Sequence, residues 1–114
     1  MLIAKRETRG ARAPFPLPVS RAVRKLGRDI RDARRRRRIT TTVLAQRASI
    51  SRVSLNHVEK GDIGVSMGIY AKVLMCLGML DRLADVADPK QDAMGMALLE
   101  EELPVRVRLP RQKG

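Results

Sequence analysis

Residues 40–61 read TTTVLAQRASISRVSLNHVEKG, and this stretch decides the fold. Its apolar residues recur at helical spacing in two short groups, with a break of three residues between them. Thr40 and Ser51 each stand directly before one group, where a hydroxyl oxygen can cap a helix by accepting a backbone N–H. Gly61 follows the second group and can take the left-handed conformation that ends many helices. The stretch therefore predicts two short helices joined by a tight turn.

The spacing of the apolar residues within this stretch is typical of a helix-turn-helix. Small Ala45 stands where the two helices must approach each other closely, and Ile50 fills the turn. Leu55 and Val58 anchor the second helix on a core. The residues that remain on the outer side of the second helix, near its start, are Arg52, Val53, Ser54, Asn56 and His57. Because such side chains can reach base edges in a major groove, the stretch indicates a DNA-binding protein.

Helical periodicity continues on both sides of this stretch. One helix is predicted from a cap at Ser20 to the arginine run 34–38, and another begins at a cap on Ser66. Residues 80–87 predict a fifth helix and residues 92–102 a sixth. The positions predicted to face the core are Val23, Leu26, Ile30, Ala33, Leu44, Ala45, Ala48, Leu55, Val58, Tyr70, Val73, Leu74, Leu77, Leu80, Leu83, Ala84 and Ala87.

The chain is predicted to be all-α. It has one Phe, one Tyr and no Trp, so its core must be aliphatic, which suits helices better than strands. We expect a five-helix DNA-binding domain over residues 20–88. Residues 1–19 hold three closely spaced prolines among basic residues and predict a flexible basic arm. Residues 89–114 predict a C-terminal extension for dimer or partner contact, in which the alternation over Val105–Leu109 indicates a short strand.

Charge is large and unevenly distributed. The formal net charge is +12, which favours a polyanionic partner because such a field is self-repelling. Residues 1–38 contain 14 Lys and Arg against three acids, whereas residues 81–102 contain seven acids against two basic residues. The basic end indicates nucleic acid, and the acidic end suggests a second, protein partner.

Several other classes are disfavoured. One cysteine, Cys76, cannot form a disulfide within the chain, and together with the single histidine it is too few ligands for a tetrahedral zinc site. Nothing signals the oxyanion hole or enclosed pocket that a Ser-His site needs, so we expect no enzyme activity and no cofactor. No apolar run approaches the roughly 20 residues of a membrane helix. A cytoplasmic protein without membrane contact is expected.

One set of residues matches a known family pattern: Leu26-Gly27-x-x-Ile30-Arg31-x-x-Arg34, Thr40-x-x-x-Leu44-Ala45 and Ile50-Ser51-Arg52-x-x-Leu55-x-x-Val58-Glu59-Lys60-Gly61. Over roughly residues 26–83 the chain resembles the Xre/Cro-repressor family of DNA-binding domains. The resemblance implies a homodimer that binds a palindromic operator in double-stranded DNA. Two positions depart from the family pattern, Thr41 in place of a frequent Gln and Ser49 in place of a frequent Gly.

The same resemblance implies roles for particular residues. Base or groove contacts fall on Arg52, Val53, Ser54 and His57, and backbone-positioning contacts fall on Thr41, Ser51, Asn56 and Lys60. It also implies a structural ion pair between Arg34 and Glu59. For His57, plain solvent exposure is the alternative to a groove contact. Arg38 and its neighbours in the arginine run 34–38 are candidates for phosphate contact, with a solvent-facing helix end as the alternative.

A narrower resemblance extends further along the chain. It rests on Val58-Glu59-Lys60-Gly61-Asp62, Ser66, Tyr70-Ala71-x-Val73-Leu74, Leu77-Gly78, Asp81-Arg82-Leu83-Ala84 and the ending Glu-Glu-x-Leu-Pro-x-Arg-Val-Arg. These residues resemble HipB-like antitoxins, which implies repression of the protein's own operon and a HipA-type kinase toxin as partner. The alternatives are a stand-alone phage-type repressor and a basic RNA-binding protein, the latter disfavoured because aromatic platforms for stacking bases are lacking.

Overall fold

The protein is described by a computed structural model over residues 14–106. The helices are α1 (Leu17–Arg36), α2 (Thr41–Ala48), α3 (Arg52–Glu59), α4 (Met67–Cys76), α5 (Leu80–Ala84) and α6 (Ala93–Arg106), with one 3-10 turn at Pro89–Gln91. Within this range every regular element is helical, so the all-α prediction is confirmed. The chain divides into two compact units, one ending at Leu80 and one beginning at Asp81.

The core of the first unit is aliphatic and joins the inner faces of α1 to α4. Its buried residues are Ile30, Ala33, Leu44, Ala45, Ala48, Leu55, Val58, Tyr70, Val73, Leu74 and Leu77. The apolar stripes predicted for α2, α3 and α4 are therefore confirmed. In α1 the second half of the predicted stripe, Ile30 and Ala33, is buried, whereas the first half, Val23 and Leu26, is half-exposed. Helices α2 and α3 thus form a helix-turn-helix that α1 and α4 support.

Hydroxyl caps start three of these helices. The Thr40 hydroxyl accepts from the backbone N of Val43 at 3.1 Å, and the Ser51 hydroxyl accepts from the N of Ser54 at 3.0 Å. Ser66 accepts from the N of its third following residue at 3.2 Å. Each cap satisfies a donor that the first helical turn cannot pair. The caps predicted at Thr40, Ser51 and Ser66 are therefore confirmed.

Helix α1 begins earlier than predicted. Its N-cap is Pro16 and its first helical residue is Leu17, so the prediction of a cap at Ser20 is wrong. Two of the three prolines that suggested an irregular arm, Pro16 and Pro18, belong to the helix start, because the first turn needs no N–H donor and Pro18 can occupy it. Of the predicted arm of residues 1–19, the last three residues are therefore helical. Its first 13 residues lie outside the described range.

The second unit differs from prediction in two respects. Helix α5 ends at Ala84 rather than Ala87, and of the four inward positions predicted there only Leu83 is half-buried, whereas Leu80, Ala84 and Ala87 are exposed. The predicted sixth helix is present but continues to Arg106. The strand predicted for Val105–Leu109 is therefore wrong for its first two residues, and the other three lie outside the described range. Residues 97–103 are strong helix formers, but Pro104 is not, so helix propensity explains the helix as far as Leu103 and not its last turn.

Candidate nucleic-acid interface

Helix α3 is held by its inner face and presents its outer face to solvent. Leu55 and Val58 are fully buried, and they fix the rotation of the helix about its axis. The exposed residues of α3 and its C-cap are Arg52, Val53, Asn56, His57 and Lys60. Val53 is 64% exposed, so an apolar side chain stands in solvent near the start of the helix. The outer face therefore joins cationic, amide, imidazole and methyl groups on one surface.

A close approach of two glycines places α3 against α1. A Cβ on Gly27 would lie 2.6 Å from the carbonyl oxygen of Val58 and would also meet the backbone N of Gly61. Gly61 has φ of +70° and lies against the backbone of Arg24. Glycine is needed at both positions, because a side chain would separate the helices. The end of α3 therefore rests directly on the backbone of α1.

Arg34 and Glu59 form the ion pair that ties α1 to the same end of α3. Arg34 Nε donates to Glu59 Oε2 at 2.7 Å, and Arg34 Nη2 donates to Glu59 Oε1 at 3.1 Å. The side chains are 11% and 8% exposed. Arg34 Nη1 also donates to the carbonyl oxygen of Ile39 at 2.8 Å, which fixes the connection between α1 and α2. The geometry is bidentate, so the pair both neutralises and orients its members.

The remaining arginines of the run 34–38 have different surroundings. Arg37 donates to the carbonyl oxygens of Ala33 at 2.8 Å and Leu77 at 3.0 Å, so it belongs to the scaffold. Arg38 is exposed in the connection to α2 and has φ of +55°. Thr41 is half-buried at the first position of α2. Apart from the N–H of Val43, which Thr40 caps, the backbone N–H groups of that first turn can face an anion.

The hydroxyls of two predicted contact residues, Ser51 and Ser54, are hydrogen-bonded within the protein. The Ser51 hydroxyl accepts the cap bond and donates to the Ser54 hydroxyl at 3.0 Å. Ser54 is half-buried and lies off the outer face. Both hydroxyls therefore have partners within the protein, whereas Arg52 and Val53 project into solvent.

His57 lies at the border of the outer face next to the loop before α4. Its Nδ1 is 3.0 Å from Asp62 Oδ2, and Asp62 Oδ1 accepts from the backbone N of Gly64 at 2.7 Å. The Tyr70 hydroxyl donates to the Asp62 carbonyl oxygen at 2.9 Å. Burial raises the pKa of Tyr70, and the negative charge of Asp62 adds to this effect. These bonds connect the edge of the outer face to the loop before α4.

A cleft of about 250 Å³ lies between α1 and the end of α3. It is lined by Arg31, Arg34, Arg35, Asn56, Glu59 and Lys60. Sequence reasoning placed Asn56 and Lys60 at the interface but did not single out Arg31 and Arg35, although it treated the neighbours of Arg38 as candidates for phosphate contact. The signal that could have found them is their spacing of four residues on the exposed side of α1, beside the residue that pairs with Glu59. The cleft joins α1 to the outer face of α3.

Other kinds of site find little support in the part of the chain that the structure describes. Within residues 14–106 there is no group of three or more His, Cys, Asp or Glu side chains that could hold a metal ion. Cys76 is a free, half-buried thiol. None of the helices in this range is long and apolar enough to cross a membrane.

The fold and the outer face of α3 together define a helix-turn-helix DNA-binding protein of the Xre type. A family model described as a helix-turn-helix domain matches residues 25–87, more than half of the chain, and the chain belongs to that family. The matched segment contains α2, the turn and α3, as well as the cleft residues Arg31 and Arg35. No curated protein matches the chain, and no solved structure matches it.

Proposed function

We propose that the protein is a transcriptional repressor that binds a palindromic operator in its own upstream region as a homodimer. The observation that carries this proposal is the outer face of α3, where exposed Arg52 and Val53 stand at the helix start while the opposite side is fully buried. A helix anchored in this way can enter a major groove without unfolding. Each protomer would then read one half-site, with half-sites about one helical turn of DNA apart.

The exposed residues of α3 divide into two proposed roles. Arg52 can donate two hydrogen bonds to a guanine, and Val53 can contact a thymine methyl group. His57 adds a groove contact at the border of the face. Asn56 and Lys60 line the cleft, so we assign them to backbone phosphates together with Arg38 and Thr41. Ser51 and Ser54 position the helix start through their mutual bonds.

Two matched substitutions test this division. Arg52→Ala is expected to lower affinity for the upstream duplex by about 10- to 100-fold, with little change for scrambled DNA, because a bidentate base contact contributes roughly 1–3 kcal/mol of discrimination. Lys60→Ala is expected to weaken binding to both duplexes by the same factor. Fluorescence titration at two salt concentrations measures both effects. Equal losses on both duplexes for Arg52→Ala contradict the base-contact role, and tighter binding of structured RNA than of either duplex contradicts the function.

A second candidate function is that of an antitoxin for a HipA-type kinase toxin. It is favoured by the second unit, which is rich in acids and exposes Met94, Met96 and Leu98 on α6. Such exposed apolar residues beside acids are suited to contact with another protein. Co-expression with a kinase encoded beside this chain tests it. Relief of growth arrest supports the antitoxin role, and unchanged arrest leaves a stand-alone repressor. Either role places the protein in the cytoplasm.

A further inference from the structure

Five arginines of α1 form one exposed stripe. They follow each other at spacings of three, four, three and four residues, which places side chains on one face of a helix. The members of this arginine stripe are Arg21, Arg24, Arg28, Arg31 and Arg35, and all five are exposed. The opposite face contains the buried residues Ile30 and Ala33. At 1.5 Å per residue the stripe runs for about 21 Å.

The stripe is positive along its whole length. Like charges one turn apart repel each other and oppose helix formation. Two acids lie close to the stripe: Asp29 binds Lys25 at 2.6 Å, and exposed Asp32 lies one turn from Arg28 and Arg35 without forming an ion pair with either. None of the five arginines forms an ion pair with an acid whose side chain the structure describes. The stripe therefore keeps its charge available to a ligand.

The cleft connects the arginine stripe to the outer face of α3. Arg31 and Arg35 share it with Asn56 and Lys60, which belong to that face. At the same cleft both oxygens of Glu59 accept from Arg34, so this carboxylate is already neutralised. The remaining cations of the cleft face open space. Positive charge thus continues without interruption from the end of α3 onto α1.

We propose that the arginine stripe binds phosphates of the DNA backbone, extending the interface beyond the groove that α3 enters. Arg31 and Arg35 hold the two phosphates nearest to α3, one each, and the other three arginines continue along the backbone. A continuous row of cations suits a continuous polyanion better than a single small anion. The proposal rests on the proposed function, because it requires a duplex against the outer face of α3.

The test is the salt dependence of duplex binding. Each lost phosphate contact lowers the slope of log affinity against log salt by about 0.9. For Arg31→Gln/Arg35→Gln the slope should fall by about 1.8, so the loss of affinity should be about 12-fold greater at 50 mM than at 200 mM salt. The loss should be equal on the upstream and scrambled duplexes. Arg21→Gln/Arg28→Gln should lower the slope as well.

Lys72→Gln is the matched control, because it removes one exposed positive charge from α4. Its slope should stay that of the wild type, and thermal unfolding should show that all variants fold alike. An unchanged slope for Arg31→Gln/Arg35→Gln overturns the proposal, as does a loss restricted to the upstream duplex. An unchanged slope for Arg21→Gln/Arg28→Gln overturns the extension beyond the cleft. A loss of self-association with DNA binding intact would assign the stripe to a protein contact and also overturn it.

The two proposals can fail separately. If the wild type shows no preference for its upstream region but the double variants lower the slope, the repressor function fails and the arginine stripe stands. If the wild type prefers its upstream region and the slopes do not change, the stripe fails and the repressor stands. If the wild type binds no duplex, both are overturned.

Discussion

The substitution Gly27→Ala tests whether α3 rests directly on the backbone of α1. In a helix interior, Ala is favoured over Gly by about 1 kcal/mol, so helix propensity alone predicts a more stable protein. The structure predicts the opposite, because the new methyl group would lie 2.6 Å from the Val58 carbonyl oxygen and would also meet the backbone of Gly61. Backbone atoms cannot move aside as a flexible side chain can.

The expected magnitude follows from these opposing terms. Overpacking in a tight contact costs about 1–3 kcal/mol, and the upper end applies where the contact is with backbone. After the gain in helix propensity, the free energy of unfolding should fall by about 2 kcal/mol. Urea denaturation followed by circular dichroism measures this, with a midpoint lowered by about 1–2 M. Affinity for the upstream duplex should fall as well, because the end of α3 is displaced from α1.

Gly68→Ala is the matched control. Gly68 lies in the first turn of α4, and a Cβ there meets only the Ser66 hydroxyl at an ordinary 3.8 Å. This variant should be as stable as the wild type or more stable by up to about 1 kcal/mol. If Gly27→Ala is stabilised to the same extent as Gly68→Ala, the close approach of α1 and α3 is wrong.

Three further predictions concern the scaffold. Arg34→Met should lower the free energy of unfolding by about 3 kcal/mol, because it leaves the Glu59 carboxylate largely buried without its partner. Adding Glu59→Leu should recover most of the loss. Urea denaturation measures both changes, and no recovery in the double variant would contradict the prediction. Ser49→Gly should stabilise by up to about 1 kcal/mol, since Ser49 has φ of +56°, and an unchanged urea midpoint would argue against strain there. Burial raises the pKa of Tyr70, so its contribution to stability is complete below the unfolded-state value of about 10 and is lost as pH rises through the higher folded-state value. Tyr70→Phe should remove that part of the alkaline loss, and identical pH profiles from pH 8 to 11 would refute the assignment.

The helix-turn-helix was predictable because its signals are local. A cap such as Thr40 acts on a backbone N–H three residues away, and the buried stripe of α4 repeats within ten residues. The conformation of Ser49 is likewise decided locally. The turn requires a left-handed residue, and Ser49 has φ of +56° at a position where Gly is frequent in the family that the chain resembles. Short-range sterics and hydrogen bonds therefore specify this part of the chain.

The ends of the described range were less predictable, because the same residues suit two structures. Pro16 and Pro18 can interrupt a helix or begin one, and which applies depends on whether a helix follows at once. Val105 alternates with basic residues as in a strand and follows Pro104, which disfavours a helix interior, yet it lies in α6. Periodicity over five residues is too short to decide between these outcomes.

The interface shows why spacing along one helix is an incomplete guide to function. Arg34 and Arg35 are neighbours in sequence, but the first faces Glu59 and is largely buried, whereas the second lines the cleft. A difference of one residue rotates a side chain by about 100° around the helix. Which arginines remain available to DNA therefore depends on how α3 lies against α1, and that arrangement depends on the contact between Gly27 and Gly61. The packing of α3 on α1 would therefore determine both the stability of the fold and which arginines can bind a duplex.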